Sequence, residues 1–294
     1  MTPETFGFIG LGQMGGPMAA NIAAKGFDLT VFDVAGTAAL APDGTKIADS
    51  LAAAASAADS LFLSVPDGNI SLAILRELSE LSERRVTTVI DLSTVGPQMA
   101  RDAAEIASSV GMTYIDSPVS GGQAGARAGN VTLMWAGPAS VMESHRDVLT
   151  TFCKNLFHVG DEAGQGQSLK VLNNFLSGTA MAATSEAIQY GLSQGLDMKT
   201  MLDVINVSTG QNTATRDKFP DRILTGTYDA GFTSALINKD IKLFLANAQA
   251  FGTPSRVGEM ISDIWDGCDT TLPGSDFTRI YQYIQSLGDP EPGE

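Results

Sequence analysis

The sequence predicts an α/β fold: an N-terminal Rossmann-type, doubly wound sheet, followed by an all-α C-terminal domain joined to it by one long interdomain helix. Three observations carry this. Short apolar runs alternate with helical stretches up to about residue 160, a Gly-x-Gly-x-x-Gly turn follows the first run, and beyond residue 167 only helical periodicity remains.

In chain order, Phe6–Ile9 reads as a buried strand that ends in glycines, and residues 14–25 carry Met14, Met18 and Ile22 at helical spacing. Strands follow at Leu29–Phe32, 61–65, 89–92 and 113–115, with a helix over 97–110 between the last two. Such alternation implies βαβ units and a parallel sheet. Val131–Ala136 and 156–159 close the first domain around a helix that begins near Ala139. After the turn-rich Gly160-Asp161-Glu162-Ala163-Gly164, long helices are expected over 168–194, 198–206, 234–251, 256–266 and 276–286. The expected division is therefore 1–162, 163–288 and a disordered Pro/Gly/acid tail at 289–294.

With 294 residues, 44% of them apolar, the chain can bury two full cores. No apolar stretch reaches the length of a membrane span and residues 1–10 lack a basic start, so a soluble, cytoplasmic protein is expected. The two cysteines, Cys153 and Cys268, are far apart, which argues against a disulfide framework or a cysteine metal site. A net charge of -15 repels phosphate backbones and anionic membranes, so no nucleic-acid or membrane partner is expected. With only 18 lysines and arginines, a site for an anionic ligand must concentrate a few of them.

Gly10-Leu11-Gly12-Gln13-Met14-Gly15 stands between a strand and a helix, where the fingerprint binds a dinucleotide. The first glycine makes the turn, the second admits a pyrophosphate, the third lets helix pack on strand, and the helix N-terminus offers free N–H groups. Asp33, at the end of the second strand, is placed to accept hydrogen bonds from the adenosine ribose. A carboxylate there repels a 2'-phosphate, and no Lys or Arg lies between Val34 and Thr45 to neutralise it, so NAD is expected over NADP. Val65-Pro66 and Ser93-Thr94 fall at later strand ends on the same crevice; alternatively Pro66 terminates a strand and Ser93-Thr94 caps a helix.

A second glycine turn, Asp116-Ser117-Pro118-Val119-Ser120-Gly121-Gly122, offers N–H groups and the Ser120 hydroxyl to a carboxylate, or is an ordinary loop. At the root of the long helix, Gly166, Lys170 and Asn174 lie four apart and share a face, while Leu169, Leu172, Phe175 and Leu176 are expected to face the core. A lysine near a helix start meets an unfavourable dipole field that helps to lower its pKa. Interconverting a carbonyl and an alcohol requires a group that donates or accepts one proton. His145, amid Glu143, Ser144 and Arg146, and His158, in a strand, read as structural histidines, which leaves Lys170 as the candidate. Lys239-Asp240 sits in a later helix and is otherwise a solvated pair.

Together these segments resemble the β-hydroxyacid dehydrogenases, including 3-hydroxyisobutyrate dehydrogenase and tartronate semialdehyde reductase. The resemblance runs from about Phe6 to Leu287, through the fingerprint with Met18-Ala19-Ala20-Asn21, Asp91-Leu92-Ser93-Thr94, the Asp116 to Gly122 turn, Gly164-Gln165-Gly166 with Lys170 and Asn173-Asn174, and Lys239-Asp240. It implies hydride transfer between NAD and a small β-hydroxy acid or its semialdehyde, with Lys170 as general acid/base. It further implies that Ser120, Gly121, Gly122 and Asn174 hold the substrate, that Thr94 and Lys239 contact the cofactor side, and that the protein is a homodimer or homotetramer. Asn130 and Trp135 depart from the small or aliphatic residues expected there. The segment from Ser208 to Phe232 corresponds to the part that closes over substrate and varies among members. The competing readings are an imine reductase-like enzyme and a non-catalytic dinucleotide-binding protein.

Overall fold

The computed structural model describes residues 4–288, so the expected tail at 289–294 lies outside the described residues. Contacts divide the chain into two units, Met1–Lys170 and Val171–Glu294.

Among the described residues, the first unit is built on nine strands: β1 Phe6–Ile9, β2 Leu29–Phe32, β3 Lys46–Ile47, β4 Ser60–Leu63, β5 Thr88–Asp91, β6 Thr113–Asp116, β7 Val119–Ser120, β8 Val131–Ala136 and β9 Cys153–Gly160. Their order is β3-β2-β1-β4-β5-β6-β8-β7, with β9 on β8. The first six run parallel, whereas β8 is antiparallel to β6 and β7 and parallel to β9. The order reverses beside β1, where ligands of open α/β sheets bind at the carboxyl ends of the strands.

Side-chain alternation along each strand gives the sheet two apolar faces. Phe8, Phe62, Ile90 and Ile115 stand in register across β1, β4, β5 and β6 and belong to one core. Leu61, Val89 and Tyr114 form the opposite row, in the second core. Helix α1, Gly15–Ala24, lays Met18, Ala19 and Ile22 on the first face. Helices α3 Leu51–Ala57, α4 Gly68–Glu80 and α5 Pro97–Ser109 cover the second with Ala54, Leu75, Ala100 and Ala103. Short helices α2 Thr37–Leu40, α6 Gly122–Arg127, α7 Ala139–Ser144 and α8 Arg146–Leu149 fill the connections.

Helix α9, Gln165–Ser193, runs from the first unit into the second. The second unit continues with α10 Met198–Ile205, a π-helical turn Ala214–Ile223, α11 Ser234–Ala250, α12 Arg256–Thr271, a 3-10 turn Phe277–Arg279 and α13 Ile280–Leu287. Its core gathers Phe219, Ile237, Ile241, Trp265, Phe277 and Ile280. The Phe175 ring stacks on Phe244 with centroids 4.1 Å apart.

The strands β3 and β7 go beyond the sequence expectation because two residues are too few to show a period. The π-helical turn was not visible either, since Pro220 interrupts the helical pattern.

One expectation is reversed. Leu169, Leu172 and Leu176 are 37%, 44% and 58% exposed, while Lys170 and Asn174 are 8% and 7% exposed. The polar stripe turns inward because partners await it there, as Asp240 does for Asn174, and the leucines are thereby left on the outside.

Candidate active site

Strand β1 delivers the fingerprint turn. Gly10 has φ +90°, and a Cβ there would strike the Ser64 carbonyl oxygen; a Cβ on Gly15 would strike the Gly10 carbonyl oxygen. Around Gly12, by contrast, no atom lies within 4 Å of a would-be Cβ. The turn is thus packed on both sides and open in the middle, which fits a pyrophosphate approaching the backbone.

Asp33 closes β2 beside this turn. Its Oδ2 accepts from Leu11 N–H at 2.6 Å and its Oδ1 from Ala35 N–H at 2.7 Å, while its own N–H donates to Thr37 Oγ1 at 2.9 Å. The carboxylate is held in one orientation and stays half-buried, lining an open concavity of about 490 Å³ with Val34, Thr37, Ile47 and Asp49. A residue so placed can read a ribose edge. Leu11 is buried, Gly12 and Gln13 are exposed and Met14 is half-buried.

At the ends of β4 and β5, Val65 N–H donates to Ser93 Oγ at 2.9 Å, tying the two loops together. Pro66 is exposed and Thr94 half-buried. Ser120 ends β7 opposite Thr132, and exposed Gly121 and Gly122 open α6.

The root of α9 rests on a buried polar cluster. Asp116, at the end of β6, accepts on Oδ2 from Gly164 N–H at 2.8 Å and Gln167 N–H at 3.1 Å, and on Oδ1 from Gln167 Nε2 at 2.8 Å. Beside it in register on β5, Asp91 accepts from Ser93 N–H at 2.9 Å and the Tyr114 hydroxyl at 3.0 Å. Burial raises the Asp116 carboxyl from 3.8 to about 6, against the opposing pull of its N–H donors and with help from the nearby Asp91 charge. Burial likewise raises Asp91, and it pushes the Tyr114 phenol well up. Lys170 lies one turn along α9 from Gln167 and is buried.

In the second unit, Asn174 donates from Nδ2 to Asp240 Oδ2 at 2.6 Å and accepts on Oδ1 from Asn173 Nδ2 at 3.1 Å. Lys239 Nζ lies 3.3 Å from Asp240 Oδ1, and Lys239 is half-buried. Both histidines serve structure: His145 Nε2 lies 2.9 Å from Ser60 Oγ and its Nδ1 2.8 Å from the Val141 carbonyl, while His158 Nε2 lies 2.9 Å from the Gly137 carbonyl.

Asp91, Asp116 and Gln167 were not singled out as site residues from sequence. Their available signal was an Asp closing each of two otherwise apolar strands, an unusual place for a charge without a partner.

Residues 5–160 match the family model of the NAD binding domain of 6-phosphogluconate dehydrogenase, and residues 164–284 that described as NAD-binding of NADP-dependent 3-hydroxyisobutyrate dehydrogenase. The 3-hydroxyisobutyrate dehydrogenase of Pseudomonas aeruginosa is 36% identical over 93% of this chain and 96% of its own length. The chain belongs to the β-hydroxyacid dehydrogenase family. The 2-(hydroxymethyl)glutarate dehydrogenase of Eubacterium barkeri is 34% identical over 89% of this chain and 88% of its own. Among solved structures, a 3-hydroxyisobutyrate dehydrogenase of Mycobacterium tuberculosis with L-serine superposes at a TM-score of 0.87, with 30% identity over 96% of this chain and 99% of that one. As a member of this family the chain is an NAD-dependent hydroxyacid dehydrogenase with an NAD-binding domain. Among the described residues, no helix is long and apolar enough to cross a membrane.

Proposed function

We propose that the protein oxidises a small β-hydroxy acid of the 3-hydroxyisobutyrate type to its semialdehyde, or runs the reverse, with Lys170 as general acid/base. The observation that carries this reading is a buried lysine in the second turn of α9, in a family whose members act on such acids. NAD, held by the residues named below, would supply the hydride acceptor for oxidation of the carbinol carbon and, as NADH, the hydride donor for the reverse. Lys170, as the neutral amine, takes the hydroxyl proton while the C=O bond forms; in reduction its ammonium returns that proton to the developing alkoxide. One group thereby serves both directions.

Gly10 to Gly15 would hold the pyrophosphate, Asp33 the adenosine ribose, and Val65, Pro66, Thr94 and Lys239 the remainder of the cofactor. Ser120, Gly121, Gly122 and Asn174 would hold the substrate carboxylate, with the Asn174 amide kept in orientation by Asp240. Asp33 favours NAD over NADP because its fixed carboxylate repels a 2'-phosphate. A homodimer or homotetramer is supported by the exposed leucines of α9, Leu172 and Leu176, which would gain by burial against a second copy.

Initial rates at the NADH absorbance band test the reading, with 3-hydroxyisobutyrate, glycerate, 3-hydroxypropionate, L-serine and 2-(hydroxymethyl)glutarate as donors. Robust turnover of one of them with NAD is expected. Absence of turnover on every one, with NADH binding intact, would contradict it.

A further inference from the structure

Gln167 is buried and all four of its amide valences are spoken for. Its Oε1 accepts from Val95 N–H at 2.9 Å and Gly96 N–H at 3.1 Å. Its Nε2 donates to the Ser93 carbonyl at 3.0 Å and to Asp116 Oδ1 at 2.8 Å. One side chain therefore grips both ends of the Ser93–Gly96 loop that carries Thr94, and it does so from the helix that carries Lys170 three residues on. Asp116 clamps the same turn through Gly164 and Gln167 N–H, and a Cβ on Gly166 would lie only 2.9 Å from the Asp116 carbonyl oxygen.

We propose that Gln167, seated on Asp116, is a positioning residue: it fixes the spacing between Lys170 and the Ser93–Gly96 loop, and so sets the distance over which proton and hydride leave the same substrate. The inference rests on the reading of Lys170 as acid/base. Its physical basis is that a reacting group displaced by about an ångström loses on the order of a hundredfold in rate. A merely structural glutamine would stabilise the fold and leave the chemical step alone.

The charge state of the platform supplies a readout specific to positioning. Both Asp116 oxygens already accept N–H groups, so a carboxylate at position 167 would set two like charges oxygen to oxygen where a donor is needed. A shared proton would restore the donor. Ionisable groups near this platform include Asp91 on β5 and Tyr114 on β6, with Arg101 on α5 abutting Gly164, and Lys170 lies buried one turn further along α9.

The test measures kcat, KM and NADH affinity for Gln167→Met, Gln167→Glu and Lys170→Ala beside the wild type. Gln167→Met, apolar and of similar length, is expected to lower kcat about tenfold or more with KM and NADH affinity within about threefold. For Gln167→Glu, the ratio of its kcat to that of the wild type is expected to rise as pH falls from about 8 to about 5.5, as the pair takes up a proton. Wild-type kcat in folded Gln167→Met, or a Gln167→Glu ratio that stays flat with pH, would overturn the proposal; should Gln167→Met fail to fold, the Gln167→Glu profile decides alone. Loss of turnover in Lys170→Ala with no effect at Gln167 would sink the positioning role only. Full turnover in Lys170→Ala would instead sink the reading on which it rests.

Discussion

Asp33 and Asp116 are two carboxylates at carboxyl ends of strands in the parallel part of one sheet, and both collect N–H donors, yet their surroundings give them opposite work. Asp33 accepts two backbone N–H groups and remains half-exposed beside an open concavity. Asp116 accepts three, lies fully buried, and has its carboxyl pushed up to about 6. Hydrogen bonds alone do not decide what an aspartate does. With solvent on one side it can read a ligand; without solvent it anchors a helix and titrates near neutrality.

The largest effect should come from the buried member. A folded-state carboxyl raised from 3.8 to about 6 contributes stability that is fully present below pH 3.8 and lost as pH rises through about 6. Two pKa units amount to about 3 kcal/mol. The difference in Tm between the wild type and Asp116→Asn, whose side chain does not titrate, should therefore fall by several degrees as pH rises from about 4 to about 7. A pH-independent difference would show that Asp116 is ordinary in its titration and would break the comparison.

Next in size is the exposed member. Asp33→Arg replaces a carboxylate that repels a 2'-phosphate with a guanidinium that attracts it, and should raise the ratio of NADP to NAD efficiency by about tenfold or more. An unchanged ratio would mean that Asp33 does not read the ribose. The smallest effect is expected at Thr37, whose Oγ1 accepts from Asp33 N–H at 2.9 Å and donates to the Asp33 carbonyl at 3.1 Å. Thr37→Val should cost about 1 kcal/mol by denaturant titration and leave the cofactor ratio close to that of the wild type. A large shift in the ratio would transfer part of the ribose reading from Asp33 to Thr37.

The same contrast explains what could be read in the sequence. The fingerprint from Gly10 to Gly15 and Asp33 are legible because local spacing dictates them: strand, turn, helix and next strand fall within one βαβ unit. Lys170 stood out because polar residues four apart interrupt an apolar helix. The clamp at the root of α9 was not legible, since Gln167 meets Asp116 across 51 positions and Val95 across 72, and no short-range pattern specifies such pairs. The inversion of α9 has the same origin. Periodicity shows that Leu169, Leu172 and Leu176 share a face, and it is long-range pairing of the opposite face, such as that of Asn174 with Asp240, that goes with this face turning outward.

The central claim is that Lys170 moves the proton of the reaction, and the single-turnover rate of NADH formation in Lys170→Ala, with NAD and substrate both saturating, tests it most directly. A loss on the order of a hundredfold or more, with NAD affinity unchanged, is the predicted result. A rate close to that of the wild type would contradict the account.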